Sequence, residues 1–464
     1  MSLAEGGLAD RSAWPLLPSE RTWGRWRLAI ALATAAAATW CYLIGEYVGY
    51  YLNFSRGAAA LTAGCMIGML LVFLAAGPIC GRYGIDSVAS TKPQFGIRGW
   101  VIPALMQIIS IIGWNSLLLI FFAKSATQLL RILGLLPAAI SGHQIVPAAT
   151  LLACALIYVS LLWGARGVAT ISKILVAHVL LGLWMLYLLI SHRWPELSAA
   201  QPTLARSDRL WNYTTGVELG ITSTLSWWPY VGAMIRMAPN ARTAVLPVML
   251  GMGAPVPLLS LIGLAGVLVL KSSDPAEWLR TVGGTTYAIV ALVFVGAANF
   301  GTAITGIYSS AIGLRNFLAL ERTPWAWLLL LTIAPVVVIG TFIPELFFAK
   351  FGTFLAFLGV GFAPLCGIQI ADNFWCRRRV SIRGIYERDP TGPYAYVRGF
   401  NPAALIALAL GCAVYMMLLN PLTFASRGPY EFLTASLPAA LCAALAYVAG
   451  SRVRRDDERT SVDG

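Results

Sequence analysis

Trp114 and Asn115 stand side by side in one apolar run, and Trp227 and Trp228 do so in another. Trp114 lies well inside its run, away from the ends where membrane aromatics usually gather. A flat indole beside an amide suits a flat heteroaromatic ligand: stacking supplies area, and the amide reads the ring edge. The same pair also fits a Trp packed between helices, with Asn115 bonded to a neighbouring helix. A third indole, Trp40, occurs in Ala38-Thr39-Trp40-Cys41-Tyr42, where a plain anchor would carry Leu and Val. Asn299 sits among Gly301, Thr302, Thr305, Gly306 and Ser309. Small residues let helices approach closely, but a buried amide needs partners. Ionisable residues inside apolar runs are functional candidates. Glu46 and Glu218 fall at similar depth in theirs and fit a proton site, an outer gate or interfacial placement. Lys173, near His178, fits either a stand-in for a metal cation or a snorkelling side chain.

These residues need helices that break. The stretch from Gly216 to Arg236 is long enough to span a bilayer, yet Thr222, Ser223, Thr224 and Ser226 precede the Trp pair, and Pro229 removes a backbone donor in mid-span. Lipid cannot satisfy freed backbone groups, so such a break faces protein or a wet cavity, as at the substrate sites of secondary transporters. A Pro-kinked structural helix is the plainer alternative. The first apolar run is irregular in the same way. Five spans separate their starting points, so the two cross in opposite directions. That is the geometry of an inverted repeat of five plus five helices, with two more at the end.

The chain is 58% hydrophobic and only 11% charged, against about 25% charged in soluble domains. It reads as an all-α integral membrane protein with about twelve spans: 27–52, 57–80, 99–123, 146–164, 168–191, 212–234, 243–270, 283–312, 325–347, 350–375, 402–420 and 430–450. Residues 1–26 and 451–464 read as cytoplasmic tails flanking one transmembrane domain, 27–450. The net charge of +13 is topological: about 23 of the 33 Lys and Arg fall on the side of the N-terminus. That asymmetry puts both termini in the cytoplasm and the protein in the inner, cytoplasmic membrane. No basic face for nucleic acid gathers. The eight cysteines form no CxxC pair, and His143, His178 and His192 lack metal-ligand spacing, so no metal or cofactor is expected. Nor does any feature demand an obligatory protein partner.

Several motifs, in order, resemble the purine/cytosine permease family of nucleobase–cation symporters over roughly residues 20–450. They are Tyr83-Gly84-Ile85-Asp86-Ser87, Phe95-Gly96-Ile97-Arg98-Gly99, Gly113-Trp114, Ser226-Trp227-Trp228-Pro229-Tyr230 through Arg236, Gly306-Ile307-Tyr308-Ser309-Ser310, Pro364 to Asp372, and Tyr394 to Asn401. The resemblance implies the LeuT-type fold and a flat substrate flanked by one Trp of span three and one of span six. Trp114 matches the first; Trp227 or Trp228 matches the second. It also implies coupling to a cation, Na+ or H+, with Ala38, Cys41, Ala297 and Gly301 as candidates beside Glu46, Glu218 and Lys173. Three departures accompany the match. Ala233 stands where the family often has an Asp. Leu118 stands where the hydantoin transporters of the family have Gln, which leaves the amide role to Asn115. In span eight, Phe300 and Gly301 replace a Ser-Thr pair offered to sodium, and Gly306 replaces an Asn that holds substrate.

The expected function is secondary active symport of a nucleobase-like heterocycle such as cytosine, a purine, a hydantoin or allantoin, by alternating access. Trp114, Asn115, Trp227, Trp228, Trp40, Asn299 and Gly306 form the expected substrate site. A carrier of osmolytes or amino acids on the same fold is one rival, though a carboxylate would want a cation or a free helix N-terminus. A membrane-embedded enzyme is the other, and it would need acids, bases or His clustered at one face.

Overall fold

The computed structural model describes residues 14–460 apart from 138–139, 163–165, 273, 316, 318–319, 321–322, 377–379 and 387–390. The side chains of 34, 143, 166–179, 275, 312, 315 and 453–460 also lie outside the description. The roles expected of Lys173 and His178 therefore fall outside the described residues.

The described chain is helical, and two isolated bridges are its only β pairing. Each sequence segment meets a helix or a broken helix. Span one is α1 (Arg25–Ala36) and α2 (Trp40–Gly49). Then follow α3 (Phe54–Tyr83), α4 (Val101–Ile132), α5 (Gly142–Leu162) and α6 (Arg166–Ala199). Span six is α7 (Arg209–Leu225) and α8 (Trp228–Ile235). Span seven is α9 (Ala241–Val248), a π-helical turn at Met249–Gly253, and α10 (Pro255–Leu270). The rest are α11 (Pro275–Arg315), α12 (Trp325–Phe342), α13 (Phe351–Ala371), α14 (Pro402–Leu418) and α15 (Ser436–Thr460). Among the described residues, seven helical stretches are each long and apolar enough to cross a membrane.

Several boundaries moved: the third and fifth segments, expected to end at 123 and 191, run on to Ile132 and Ala199. The eighth segment, expected from 283, starts at Pro275 and kinks at Gly284, whose φ of 78° interrupts the helix. The last starts at Ser436 and not at 430, and it runs on to Thr460, through sequence assigned to a tail.

The two breaks have different causes. Span six breaks because Pro229 has no N–H to give the Leu225 carbonyl. Ser226 N and Trp227 N still bond back into α7, and the chain resumes at Trp228. Span one breaks amid alanines, the best helix formers. There Thr39 N donates to Asn299 Oδ1 at 3.3 Å from another helix.

Contacts sort eight of the first nine spans into two groups, while α6 packs on both α10 and α11. In one, α3 packs along α7, and α2 along α10. The α2–α10 seam is close: a Cβ on Gly263 would overlap the carbonyl of Tyr42. In the other, α4 packs along α11, and α5 along α12. The remaining helices α13, α14 and α15 pack on each other, and α13 also touches α7.

Candidate substrate site

The two breaks meet between the groups. Trp40 opens α2, and Trp227 is the residue joining α7 to α8. Their ring centroids are 5.0 Å apart at an interplanar angle of 34°. Trp114, from the middle of α4, meets Trp40 edge-on at 5.2 Å and 68°. Its far side packs against Phe351 and Phe354, whose cluster with Phe347 roofs the indoles. All three indoles are buried.

Trp228 points elsewhere. Its N–H donates to Gln369 Oε1 at 2.7 Å, and its ring lies against Phe362. Gln369 in turn donates to Ser90 Oγ at 3.0 Å, while Ser87 donates to the Trp228 carbonyl at 2.7 Å. The pair read as interchangeable in the sequence is thus divided: Trp227 joins the indole cluster and Trp228 ties span six to span ten and to the segment after α3.

Three side chains bridge the groups, one of them Ser110 of α4, whose hydroxyl donates to the Ser226 carbonyl at 3.4 Å. Asn299 Oδ1 accepts from Thr39 N and, at 2.9 Å, from Thr39 Oγ1. Trp114 Nε1 donates to Ser226 Oγ at 3.1 Å. Ser226 Oγ donates to the Ser223 carbonyl at 2.5 Å. The other hydroxyls of span six turn inward on their own helix: Thr222 bonds Glu218 O, and Ser223 and Thr224 bond Gly220 O. They are back-bonding helix residues and not a polar lining.

Asn115 faces Gly306. A Cβ on Gly306 would overlap Asn115 Oδ1 and lie 2.9 Å from Nδ2, so glycine at 306 makes the room that the amide fills. Among the described residues, four buried donors near the breaks have no hydrogen-bond partner: Trp40 Nε1, Trp227 Nε1, Asn115 Nδ2 and Asn299 Nδ2. Indole nitrogens only donate, and the Thr39 N–H fixes which end of Asn299 accepts. Thr302 Oγ1 is likewise buried and unpartnered. Unmade hydrogen bonds of this kind cost about 1–3 kcal/mol each and call for an explanation. A ligand carrying ring nitrogens and carbonyl oxygens supplies one.

The ion-coupling candidates fall in separate places: Ala38 and Cys41 flank Thr39, whose partner Asn299 lies between Ala297 and Gly301, while Glu218 and Glu46 lie elsewhere. The Cys41 thiol donates to the Ala36 carbonyl at 3.1 Å, and Ala38 N bonds the same oxygen at 3.0 Å. Phe300 packs on Phe122 at 5.4 Å, and the Gly301 carbonyl accepts from Thr305 Oγ1 at 3.1 Å. Ala297 is half-buried beside them in α11. Glu218 is buried far from the indoles, where its carboxylate accepts from Ala435 N and Ser436 N, both at 3.1 Å, and from Ser436 Oγ at 2.6 Å. It caps the start of α15, where helix N–H groups favour negative charge. Glu46 accepts from the Tyr50 hydroxyl and lines a cavity of about 380 Å³ with Tyr47, Tyr51 and Phe348. A larger cavity, about 770 Å³, shares Phe348 and holds the Lys124–Asp274 ion pair at 3.1 Å. Sequence reasoning missed both members of that pair. Asp274 lies in the polar stretch between spans seven and eight, and the signal was the lone Lys just past the end of span three.

The chain matches the family model described as permease for cytosine/purines, uracil, thiamine and allantoin over residues 15–433. It is 24% identical over 434 residues to the hydantoin permease of Microbacterium maritypicum, covering 88% of this chain and 84% of that one. The cytosine permease of Escherichia coli K12 is 24% identical over 357 residues, 76% of each chain. Among solved structures, the inward-facing conformation of Mhp1 aligns with a TM-score of 0.80 at 20% identity, over 96% of this chain and 94% of that one. Mhp1, a nucleobase-cation-symport-1 family transporter, in a closed conformation with bromovinylhydantoin bound gives 0.76 at 21% identity, over 95% and 94%.

Proposed function

Because the chain belongs to the family of permeases for cytosine/purines, uracil, thiamine and allantoin, we propose that it carries a flat nitrogen heterocycle of that class across the membrane. It is a permease and not an enzyme. The observation that carries the reading is the junction of the two breaks, where indoles from opposite groups meet among buried donors that lack partners. Trp114 supplies the fixed stacking wall, held by Ser226. Asn115 supplies the amide that reads the ring edge, and Trp227 the second indole. Ligand bound between two helix groups is released on either side as the groups rock, which is alternating access. The excess of Lys and Arg on the side of the termini supports a cytoplasmic membrane with both ends inside.

The coupling ion is proposed to be a proton. Phe300 and Gly301 bring no side-chain oxygen, and Asn299 Oδ1 is already taken by Thr39. A hard cation wants several oxygen ligands. Proteoliposomes loaded with the purified chain, given labelled cytosine and challenged with uracil, hypoxanthine, hydantoin and allantoin, test the substrate class. Trp114→Ala should weaken binding by about 1–3 kcal/mol, roughly 5- to 150-fold, the range for a base stacked on an aromatic ring. Unchanged uptake in that variant, or no competition by any heterocycle, would sink the reading.

A further inference from the structure

The four tryptophans around the breaks divide into two kinds. Trp114 and Trp228 are tethered through their N–H groups, to Ser226 and Gln369. Trp40 and Trp227 are equally buried, yet their N–H groups have no partner among the described residues. The untethered two both lie at helix discontinuities, as the tethered Trp228 does at the start of α8. Trp40 follows the non-helical residues 37–39, and Trp227 sits between α7 and α8.

Spacing decides what this means. Two rings sandwiching a third must stand about 7 Å apart, twice the optimal contact distance of about 3.5 Å. The Trp40 and Trp227 centroids are 5.0 Å apart and those of Trp40 and Trp114 are 5.2 Å apart, so the first-span indole packs against both of the others, closer than two rings flanking a third would stand. A ring stacked on Trp114 or Trp227 at those contacts must take the place of Trp40.

We propose that Trp40 is an internal occupant of the slot: a specificity-determining side chain that holds the ligand-free site closed and must swing aside, about the break at 37–39, before a ring enters. The proposal rests on the reading of this slot as the substrate site. Its size filter follows from the same geometry, because the space released by one indole limits the ring that replaces it. A ligand that binds only the swung-out state loses apparent affinity in proportion to the rarity of that state. Removing the indole removes that loss.

The test uses the full chain in lipid nanodiscs, with two arms. In the first, wild type, Trp40→Ala and Trp40→Phe are titrated with cytosine and uracil as one-ring probes and with hypoxanthine and xanthine as two-ring probes. Trp40→Ala should bind its preferred ring at least about fivefold tighter than wild type and gain two-ring ligands, with Trp40→Phe between. The second arm needs no ligand. Asn115→Cys is introduced with the eight native cysteines replaced, and its labelling by a small polar thiol reagent is timed with and without Trp40→Ala. Labelling should be about tenfold faster without the indole. If it is faster and no heterocycle binds any form, the transport reading fails and the occupied slot stands. If wild type binds a ring but Trp40→Ala binds it more weakly and labels no faster, Trp40 is a wall of the site and the proposal is overturned. Should Trp40→Ala fail to give a monodisperse protein, a folded Trp40→Phe that changes neither labelling nor ring-size preference overturns it equally.

Discussion

At the scale of residues, Asn115 and Gly306 form one exchange. The family resemblance places a substrate-holding Asn at 306; the structure fills that space with the amide of Asn115 from the facing helix. Restoring the side chain at 306 alone should therefore hurt. Gly306→Asn drives a side chain into Asn115 and should cut uptake at least about tenfold, since overpacking costs about 1–3 kcal/mol. Asn115→Ala, which deletes the amide, should fall by a similar factor. The double variant should recover much of the activity, and loss beyond either single change, in the same uptake assay, would show the two positions to be independent. The sequence revealed which residue types mattered here but not which face they occupied. Trp227 and Trp228 are adjacent, so a helical step of about 100° sends them to different neighbours, and only the position of Gln369 separates their roles. The hydroxyls of span six misled for a related reason: Ser and Thr inside helices commonly bond the carbonyl three or four residues back.

At the scale of elements, helix positions followed from hydrophobic run length, while the cause of one break did not. Pro229 announces the interruption of span six. The interruption of span one lies in an alanine run, and its stabilising contact, Asn299 to Thr39, joins residues 260 positions apart. Nothing local encodes it beyond the odd composition around Trp40. Glu218 shows the converse case. An acid within a span suggests ion chemistry, yet its carboxylate receives two backbone N–H groups and a hydroxyl at the head of α15. Glu218→Gln places an amide against those donors and should lower stability by about 1–3 kcal/mol, seen as an earlier thermal transition in detergent, with substrate KM unchanged. A variant as stable as wild type but with transport no longer driven by the ion gradient would instead make Glu218 the coupling residue.

At the scale of the whole molecule, two adjoining cavities that share Phe348 and Ala349 hold Glu46 and the Lys124–Asp274 pair. Tyr47, Tyr50 and Tyr51 face Glu46 from its own segment, and Lys124 on α4 lies within electrostatic reach. Proton coupling predicts that replacing sodium with choline leaves initial uptake within about twofold, whereas an inward proton gradient accelerates it by about tenfold. About 100 mV of driving force is worth roughly 2.3 kcal/mol per charge. Glu46→Gln should flatten the pH dependence. Strict sodium dependence in wild type would refute the assignment. That fold was legible because the breaks recur at equivalent positions of the two halves. The coupling ion was not, since it depends on which side chains of distant segments meet, as Asn299 and Thr39 do.

The backbone contact between Tyr42 and Gly263 constrains how such a molecule can move. With no side chain between them, the far half of span one lies backbone to backbone on span seven, which couples the movement of one to the other. The near half, α1, packs likewise on α9 and the π-helical turn. Span one and span seven are therefore each jointed, with half lying on half, like two rulers hinged and laid together. A machine built this way has few independent parts, and a small change of angle at one joint must be matched at the other.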